Sequence, residues 1–98
     1  MSSAKKPGAT KAQREFVVSN KLGVHARPAS HFVKTANKFH CDVFVTKDGE
    51  QVNGKSIMGL MMLAAGPGSK LLVSCEGEDS QQALDALEDL VKKKFFED

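Results

Sequence analysis

The apolar residues of this chain switch repeatedly between helical and alternating spacing, and this order of patterns limits the folds that the chain can adopt. Runs that repeat every three or four residues predict amphipathic helices, whereas alternation predicts strands with one buried face. The predicted strands lie at residues 15 to 19, 41 to 47, 50 to 53 and 70 to 76, and the predicted helices at 26 to 39, at 57 to 65 and after Asp79 or Ser80. Because apolar faces must cover one another, this βαββαβα order predicts an α+β fold, an open-faced β-sandwich. Its four-stranded antiparallel sheet would be covered on one face by three helices.

Turn and capping residues support these boundaries. Asp48-Gly49 predicts a two-residue hairpin turn, because both positions of such a turn adopt positive φ. The short polar strand that follows this turn suits a sheet edge. Ser56 is a good N-cap for the second helix, and Gly66-Pro67-Gly68 ends that helix.

The first 14 residues differ in composition from the rest of the chain. They are rich in basic and small polar residues and have no periodic apolar pattern. We therefore predict a disordered basic tail at residues 1 to 14 and one domain at residues 15 to 98. No apolar run is long enough for a secretory signal or a membrane span, so we expect a cytoplasmic protein without membrane insertion.

Composition also limits the partners and cofactors. The net charge of +2 and the lack of Trp and Tyr do not favour nucleic-acid binding. Cys41 and Cys75 lack a metal-binding spacing and predict free thiols on strands, which the sheet could bring close together. His40 and Asp42 have no third ligand nearby in the sequence, so we expect no metal and no cofactor.

His25 and Arg27 stand beside the predicted start of the first helix. Proline is tolerated in a first helical turn, so Pro28 places the start at Ala26 or Arg27 and His25 at or beside the N-cap. First-turn N–H groups and the helix dipole bind anions, and a guanidinium matches phosphate oxygens. A neutral imidazole is also a nucleophile. We therefore predict that His25 accepts a phosphoryl group at a helix mouth formed by Gly23, Ala26, Arg27 and Pro28. A surface histidine that only caps the helix is the alternative, because short motifs match by chance.

The second predicted helix is unusually apolar for its length. A helix of about two turns cannot bury every face, so part of the set Ile57, Met58, Leu60, Met61 and Met62 is expected to be exposed. Exposed apolar patches often mark docking surfaces, and methionine adapts to several partners. The alternative is that these side chains belong to the core.

Two stretches carry a resemblance to a known family. LGVHARPAS at residues 22 to 30 resembles the active-site motif, and NGKSIMGLMML at residues 53 to 63 the regulatory-serine motif, of the HPr family. These proteins are the histidine-containing phosphocarriers of the bacterial phosphoenolpyruvate-dependent phosphotransferase system. The resemblance runs from about Glu15 to Lys94, with both motifs in the right order, and it implies the HPr-like form of the predicted sandwich.

The resemblance also implies roles for individual residues. His25 would receive a phosphoryl group from enzyme I on Nδ1 and pass it to an enzyme IIA domain of a sugar permease, with Arg27 balancing the phosphate charge. The protein would be a carrier rather than an enzyme, and we expect a monomer. The HPr kinase/phosphorylase would modify Ser56. The docking surface shared by the partners would consist of Ile57, Met58 and Met61.

The branch of the family stays open. NKLG before the histidine and the FED ending resemble the nitrogen-regulatory branch, whereas KSIMG resembles the kinase-regulated branch. Many sugar-system carriers have Ser or Asn where this chain has Leu22. Besides the sugar-system carrier, the sequence therefore allows a nitrogen-regulatory carrier and a regulatory docking protein controlled through Ser56. A nucleic-acid module that uses the basic tail ranks last, and its binding would depend steeply on salt.

Overall fold

The computed structural model describes residues 10 to 96. Strands and helices follow in the order β1 (Lys11–Val17), α1 (Ala26–Ala36), β2 (Asp42–Lys47), β3 (Glu50–Asn53), α2 (Ile57–Met62), β4 (Lys70–Glu76) and α3 (Ser80–Lys92), with a short 3₁₀ turn at Lys94–Phe96. The four strands form one antiparallel sheet in the order β1-β4-β2-β3. The predicted order of elements and the α+β class are therefore confirmed, and β3 lies at a sheet edge as predicted.

One face of the sheet is buried beneath the helices. Side chains alternate along each strand, so neighbouring residues point to opposite faces. On the buried face lie Phe16, Val43, Val45, Leu71, Val73 and Cys75. On the opposite face Leu72 is exposed. The helices complete the core with Ala29, Phe32, Leu60, Ala83, Leu84, Leu87 and Leu90. This distribution is the predicted open-faced sandwich, and no helix within residues 10 to 96 is long and apolar enough to cross a membrane.

β1 begins earlier than predicted, and the proposed extent of the tail is wrong for residues 11 to 14. These residues pair with β4, from Lys11 opposite Glu76 to Arg14 opposite Val73. The guanidinium of Arg14 also binds Asp85 at 3.0 Å and Glu88 at 2.6 Å on α3. The strand is held by partners far along the chain. Its own polar sequence does not indicate these partners, so the sequence predicts no strand at residues 11 to 14. The remaining tail, residues 1 to 9, lies outside the described residues.

The first two helices end earlier than their apolar spacing suggests. After Ala36, the N–H groups of Lys38 and Phe39 donate to carbonyls three residues back, at 3.1 and 3.2 Å. This tighter turn keeps Phe39 against the core after the α-helix has ended. A similar turn follows α2, where Leu63 remains buried. The apolar pattern thus continues through the 3₁₀ turns beyond both helix ends.

Local turn and capping predictions agree with the structure. Asp48 and Gly49 have φ values of 51° and 84°, as a two-residue hairpin turn requires. Ser56 is the N-cap of α2. Asp79 is the N-cap residue of α3, but its carboxylate accepts hydrogen bonds from the N–H groups of His40 and Cys41 at 2.8 and 2.9 Å. Asp79 therefore ties the start of α3 to the segment that leads into β2.

Candidate functional site

His25 occupies the N-cap position of α1. Its backbone is extended, with φ −98° and ψ −163°, and Ala26 is the first helical residue, in agreement with the sequence prediction. Within the described part of the chain, the His25 side chain makes no capping hydrogen bond to α1. The capping bond that the alternative interpretation supposes is therefore not formed among the described residues. The residue is partly exposed and its Nε2 atom is buried.

The first turn of α1 supplies donors beside this ring. The first intrahelical hydrogen bond runs from the Ala29 N–H to the His25 carbonyl at 2.9 Å. The N–H groups of Ala26 and Arg27 precede that bond, and Pro28 has no N–H and is buried. The guanidinium-bearing residue Arg27 is exposed. The positive end of the helix dipole, the backbone donors and one cation are thus grouped at the N-terminus of α1, an arrangement that suits an anion.

The site is a shallow depression rather than an enclosed pocket. Its volume is about 680 Å³. The lining residues are Leu22, His25, Ala26, Arg27 and Ser30. Of the predicted helix-mouth residues, Ala26 and Arg27 line the depression, whereas Gly23 and Pro28 are buried. An open depression suits a group that must be reached by the surface of another protein.

Gly23 seats the loop that carries His25. Its φ is +73°, and a Cβ atom there would overlap the Ala65 carbonyl oxygen and lie 2.7 Å from the Cα atom of Gly66. The neighbouring Val24 N–H donates to the same Ala65 carbonyl at 2.8 Å. The loop is therefore pressed against the segment that follows α2. A close backbone approach of this kind requires glycine.

Sequence reasoning missed Asn20. Its side chain is 1% exposed, and Nδ2 donates to the Gly23 carbonyl at 2.7 Å. The available signal was an asparagine three residues before a glycine, because asparagine side chains bond to nearby backbone in turns.

α2 packs beside α1 and exposes an apolar surface. This surface, hereafter the α2 surface, consists of Ile57 (40% exposed), Met58 (75%), Met61 (43%) and Met62 (69%). Leu60 points inward and is buried. The alternative that the whole set is core is therefore wrong for the four residues of the α2 surface and holds for Leu60.

Ser56 stands at the start of α2 next to this surface. Its Oγ accepts a hydrogen bond from the Gly59 N–H at 2.9 Å, which is the predicted N-cap interaction. The residue is partly exposed, so its hydroxyl is near solvent. The preceding Lys55 is half-buried, and its Nζ donates to the Phe39 carbonyl at 2.8 Å. Capping and accessibility are thus combined at one residue.

The two cysteines are buried free thiols, with Cys75 on β4 and Cys41 immediately before β2, so the predicted strand position holds for Cys75 alone. Burial raises the pKa of the Cys75 thiol to about 12, with further contributions from the nearby Cys41. Burial also raises the pKa of Cys41, which lies beside the Asp79 carboxylate. Hydrogen bonds, first from the His40 N–H and then from the Cys41 N–H, lower the pKa of Asp79. Within residues 10 to 96, no group of three or more His, Cys, Asp or Glu side chains is placed to hold a metal ion.

The chain matches a known protein family over most of its length. Residues 12–93 match the family model described as the PTS HPr component phosphorylation site. The chain belongs to the HPr family. The matched range contains both His25 and Ser56, and HPr proteins are phosphocarriers of the phosphotransferase system rather than enzymes in the turnover sense.

Relatives extend the family match over nearly the whole domain. The phosphocarrier protein HPr of Neisseria meningitidis is 49% identical over 85 residues, 87% of this chain and 96% of that protein. The crystal structure of HPr from Thermoanaerobacter tengcongensis has a TM-score of 0.85 at 45% identity and covers 89% of this chain and 98% of its own. Bacillus subtilis Crh, described as a dimer with a swapped domain, has a TM-score of 0.69 at 47% identity and covers 85% and 95%.

Proposed function

We propose that this chain is a phosphoryl carrier that receives a phosphoryl group from enzyme I on His25 and passes it to an enzyme IIA domain. One observation carries the proposal: His25 stands at the N-terminus of α1 with Nε2 buried, beside Arg27 in an open depression. The lone pair of Nδ1 forms the new P–N bond while the bond from phosphorus to the donor breaks. The ring must therefore be neutral when it attacks.

The surroundings of His25 stabilise the transferred group. Phosphoryl transfer places negative charge on the three equatorial oxygens, and catalysis rests mainly on positioning and electrostatics. The N–H groups of Ala26 and Arg27, the dipole of α1 and the Arg27 guanidinium supply that positive field. Transfer onward reverses the same step. No general base is needed, because the attacking nitrogen carries no proton in the reactive form.

The α2 surface serves as the docking area for both donor and acceptor. Ile57, Met58 and Met61 are exposed on a helix that packs beside α1. Methionine side chains repack against different surfaces at small cost, which suits a carrier that meets several partners. Exposed lysines on α1 and after it, Lys34 and Lys38, add a basic rim for acidic partners.

Ser56 is the proposed regulatory site, modified by an HPr kinase/phosphorylase. A phosphate adds about −1.5 to −2 charges at neutral pH. At the N-terminus of α2 this charge is favourable for the helix, so the fold survives. The same charge lies next to the α2 surface and repels an acidic partner. Phosphorylation of Ser56 therefore weakens docking without unfolding the protein.

A second candidate function is a regulatory docking protein controlled through Ser56, with His25 rarely used. Similarity to Crh supports it, together with the capping position of Ser56 beside the α2 surface. This candidate predicts that Ser56→Asp abolishes function and that His25→Ala preserves it, whereas the carrier predicts loss with His25→Ala. The alternative of nitrogen-regulatory transfer leaves the step at His25 unchanged and concerns the downstream acceptor. The proposed location is the cytoplasm and the proposed state a monomer, which light scattering on the purified protein tests against a swapped dimer.

The deciding experiment is intact-protein mass spectrometry after incubation with enzyme I, Mg²⁺ and phosphoenolpyruvate. Wild type and His31→Ala are expected to gain one acid-labile phosphate, and His25→Ala none. His31 is a matched control because it lies on the same helix and packs edge-on against Phe96, 5.9 Å between ring centroids. No gain in wild type beside an active enzyme I control would overturn the carrier. A gain in His25→Ala would move the phosphorylation site elsewhere.

A further inference from the structure

Asn20 is an unusual residue for its position. Among residues 10 to 96, the buried polar residues are Asn20, 1% exposed, and Ser80, 3% exposed. Asn20 lies in the turn between β1 and α1, where a turn residue is normally in contact with water. Burying an amide is unfavourable unless its polar atoms are paired. A buried asparagine here therefore calls for a specific reason.

The Asn20 side chain is bonded to the backbone that carries His25. Its Nδ2 donates to the Gly23 backbone carbonyl at 2.7 Å, and the Gly23 N–H donates to the backbone carbonyl of Asn20 at 3.3 Å. The same Gly23 carbonyl accepts from the His25 N–H at 3.2 Å. One carbonyl oxygen thus joins the Asn20 side chain to the backbone of the N-cap residue.

The opposite side of this loop is held as well. Gly23 is pressed against the Ala65 carbonyl, which also accepts from the Val24 N–H at 2.8 Å. The loop therefore lies between the Asn20 amide and the segment after α2, and the Gly23 carbonyl cannot rotate without breaking a contact. Such two-sided support fixes the direction in which α1 begins and the place where the His25 ring emerges.

General stability is a poor explanation for this asparagine. Its Oδ1 atom is buried and has no hydrogen-bond partner among the described residues. A buried acceptor left unpaired is unfavourable, and an apolar residue of similar size would remove that penalty. The amide is therefore retained for the one bond that it makes, the bond to the Gly23 carbonyl.

We infer that Asn20 is a positioning residue for phosphoryl transfer at His25: it holds the Gly23 carbonyl, and through it the His25 backbone, so that Nδ1 is presented to a docked partner. The inference rests on the proposed carrier function. It assigns Asn20 no contact with the phosphoryl group. Removing the amide should slow transfer within the docked complex and leave docking intact, because the α2 surface is unchanged.

Steady-state phosphorylation by enzyme I and phosphoenolpyruvate tests this inference with Asn20→Ala. We expect kcat to fall about tenfold, since small misplacements of a reacting group have large effects, and KM for the carrier to stay within about twofold. Ser80→Ala is the matched control, because Ser80 is the other buried polar residue and contacts Thr10 near the opposite end of β1. An unchanged kcat in Asn20→Ala, or an equal fall in Ser80→Ala, overturns the inference.

Amide hydrogen exchange gives a readout that does not depend on enzyme I. The His25 N–H should exchange at least about tenfold faster in Asn20→Ala and at the wild-type rate in Ser80→Ala. Only Asn20→Ala removes the side chain that holds the Gly23 carbonyl, the acceptor of the His25 N–H. Unchanged exchange at His25 contradicts the positioning role. If Asn20→Ala does not fold, Asn20→Asp replaces it, since it keeps the shape and loses the Nδ2 donor. Failure of wild type to accept phosphate overturns the carrier function, while the exchange data still decide whether Asn20 holds the loop.

Discussion

The hydroxyl of Ser56 closes the first turn of α2, where it accepts a hydrogen bond from the Gly59 N–H at 2.9 Å. We expect Ser56→Ala to lower the free energy of unfolding by about 1 kcal/mol, because the capped N–H loses its acceptor. Ser56→Asp should stay close to wild type, since aspartate is also a good N-cap. Urea unfolding measures both values, with the exposed Ser19→Ala as a control expected within about 0.5 kcal/mol of wild type. A destabilised Ser56→Asp would show that negative charge at this position harms the fold.

Gly23 and Gly49 allow a comparison between backbone strain and close approach. Both have positive φ, +73° and +84°, but a Cβ atom at Gly49 meets nothing within 4 Å. Gly49→Ala should therefore lower stability by about 1 to 2 kcal/mol through the left-handed backbone alone. Gly23→Ala should lose about 1 to 3 kcal/mol more, because its methyl group meets the Ala65 carbonyl. Thermal unfolding of the two variants under one condition measures the difference, and equal losses would mean that the loop moves away from Ala65 freely.

Elements distant in the sequence are joined through a few polar residues. Arg14 on β1 binds two carboxylates of α3, and Asp79 before α3 accepts hydrogen bonds from the segment before β2. Ladder pairing gives the sheet its register, but these side chains attach the helical layer to particular strands. Because these contacts are made by carboxylates, their effect on stability depends on whether the carboxylates are ionised.

Asp79 should make the stability of this connection depend on pH. The His40 and Cys41 N–H groups hold its pKa below the ordinary value of 3.8. A lowered folded-state pKa contributes stability above the unfolded-state value, and that contribution is lost as pH falls through the folded-state value. Asp79→Asn should therefore be less stable than wild type at pH 7, because the two N–H groups bond to different carboxylate oxygens and asparagine replaces one of these oxygens with an NH2 donor. The difference should narrow below about pH 4.

Urea unfolding midpoints at pH 7 and pH 3 measure this narrowing. Asp89→Asn is the control, because Asp89 forms an exposed pair with Lys93 at 3.0 Å on α3 and, among the described residues, accepts no hydrogen bond from the segment before β2. Its effect should be small at both pH values. A gap for Asp79→Asn that stays constant between the two conditions would contradict the role of ionisation.

The molecule as a whole places both cysteines inside the core that residues 10 to 96 form. Thiolates are the reactive form of cysteine, and burial raises the pKa of Cys75 to about 12. Iodoacetamide at pH 8 should leave Cys41 and Cys75 unmodified in the native protein and label both in 6 M guanidinium, as counted by mass spectrometry. Rapid labelling of the native protein would show that the core opens at this end of the sheet.

The raised thiol pKa has a consequence for alkaline stability. Above pH 9, the reference value for the thiol, the unfolded chain loses its Cys75 proton while the folded protein keeps it up to about pH 12. The stability that this group contributes is therefore present below pH 9 and is lost as pH rises towards 12.

Much of the fold and part of the site could be predicted from local patterns. The start of α1 at Ala26 follows from Pro28, the hairpin from Asp48-Gly49 and the cap of α2 from Ser56. Each of these signals acts between residues that are close in the chain, so a reader of the sequence can recognise it. The predicted carrier residues His25 and Arg27 belong to the same class, because the end of a helix brings them together.

Other features depend on contacts between distant segments. β1 extends to Lys11 because β4 offers a pairing partner at Glu76, and nothing in the local sequence indicates it. Asn20 is buried in a loop whose Val24 N–H bonds to Ala65, a residue far along the chain. From the order of residues alone came the secondary-structure elements, their order along the chain and the proposed nucleophile. Tertiary structure decided where β1 begins, which thiols meet and how the loop holds His25, because backbone pairing and burial join segments that local periodicity cannot relate.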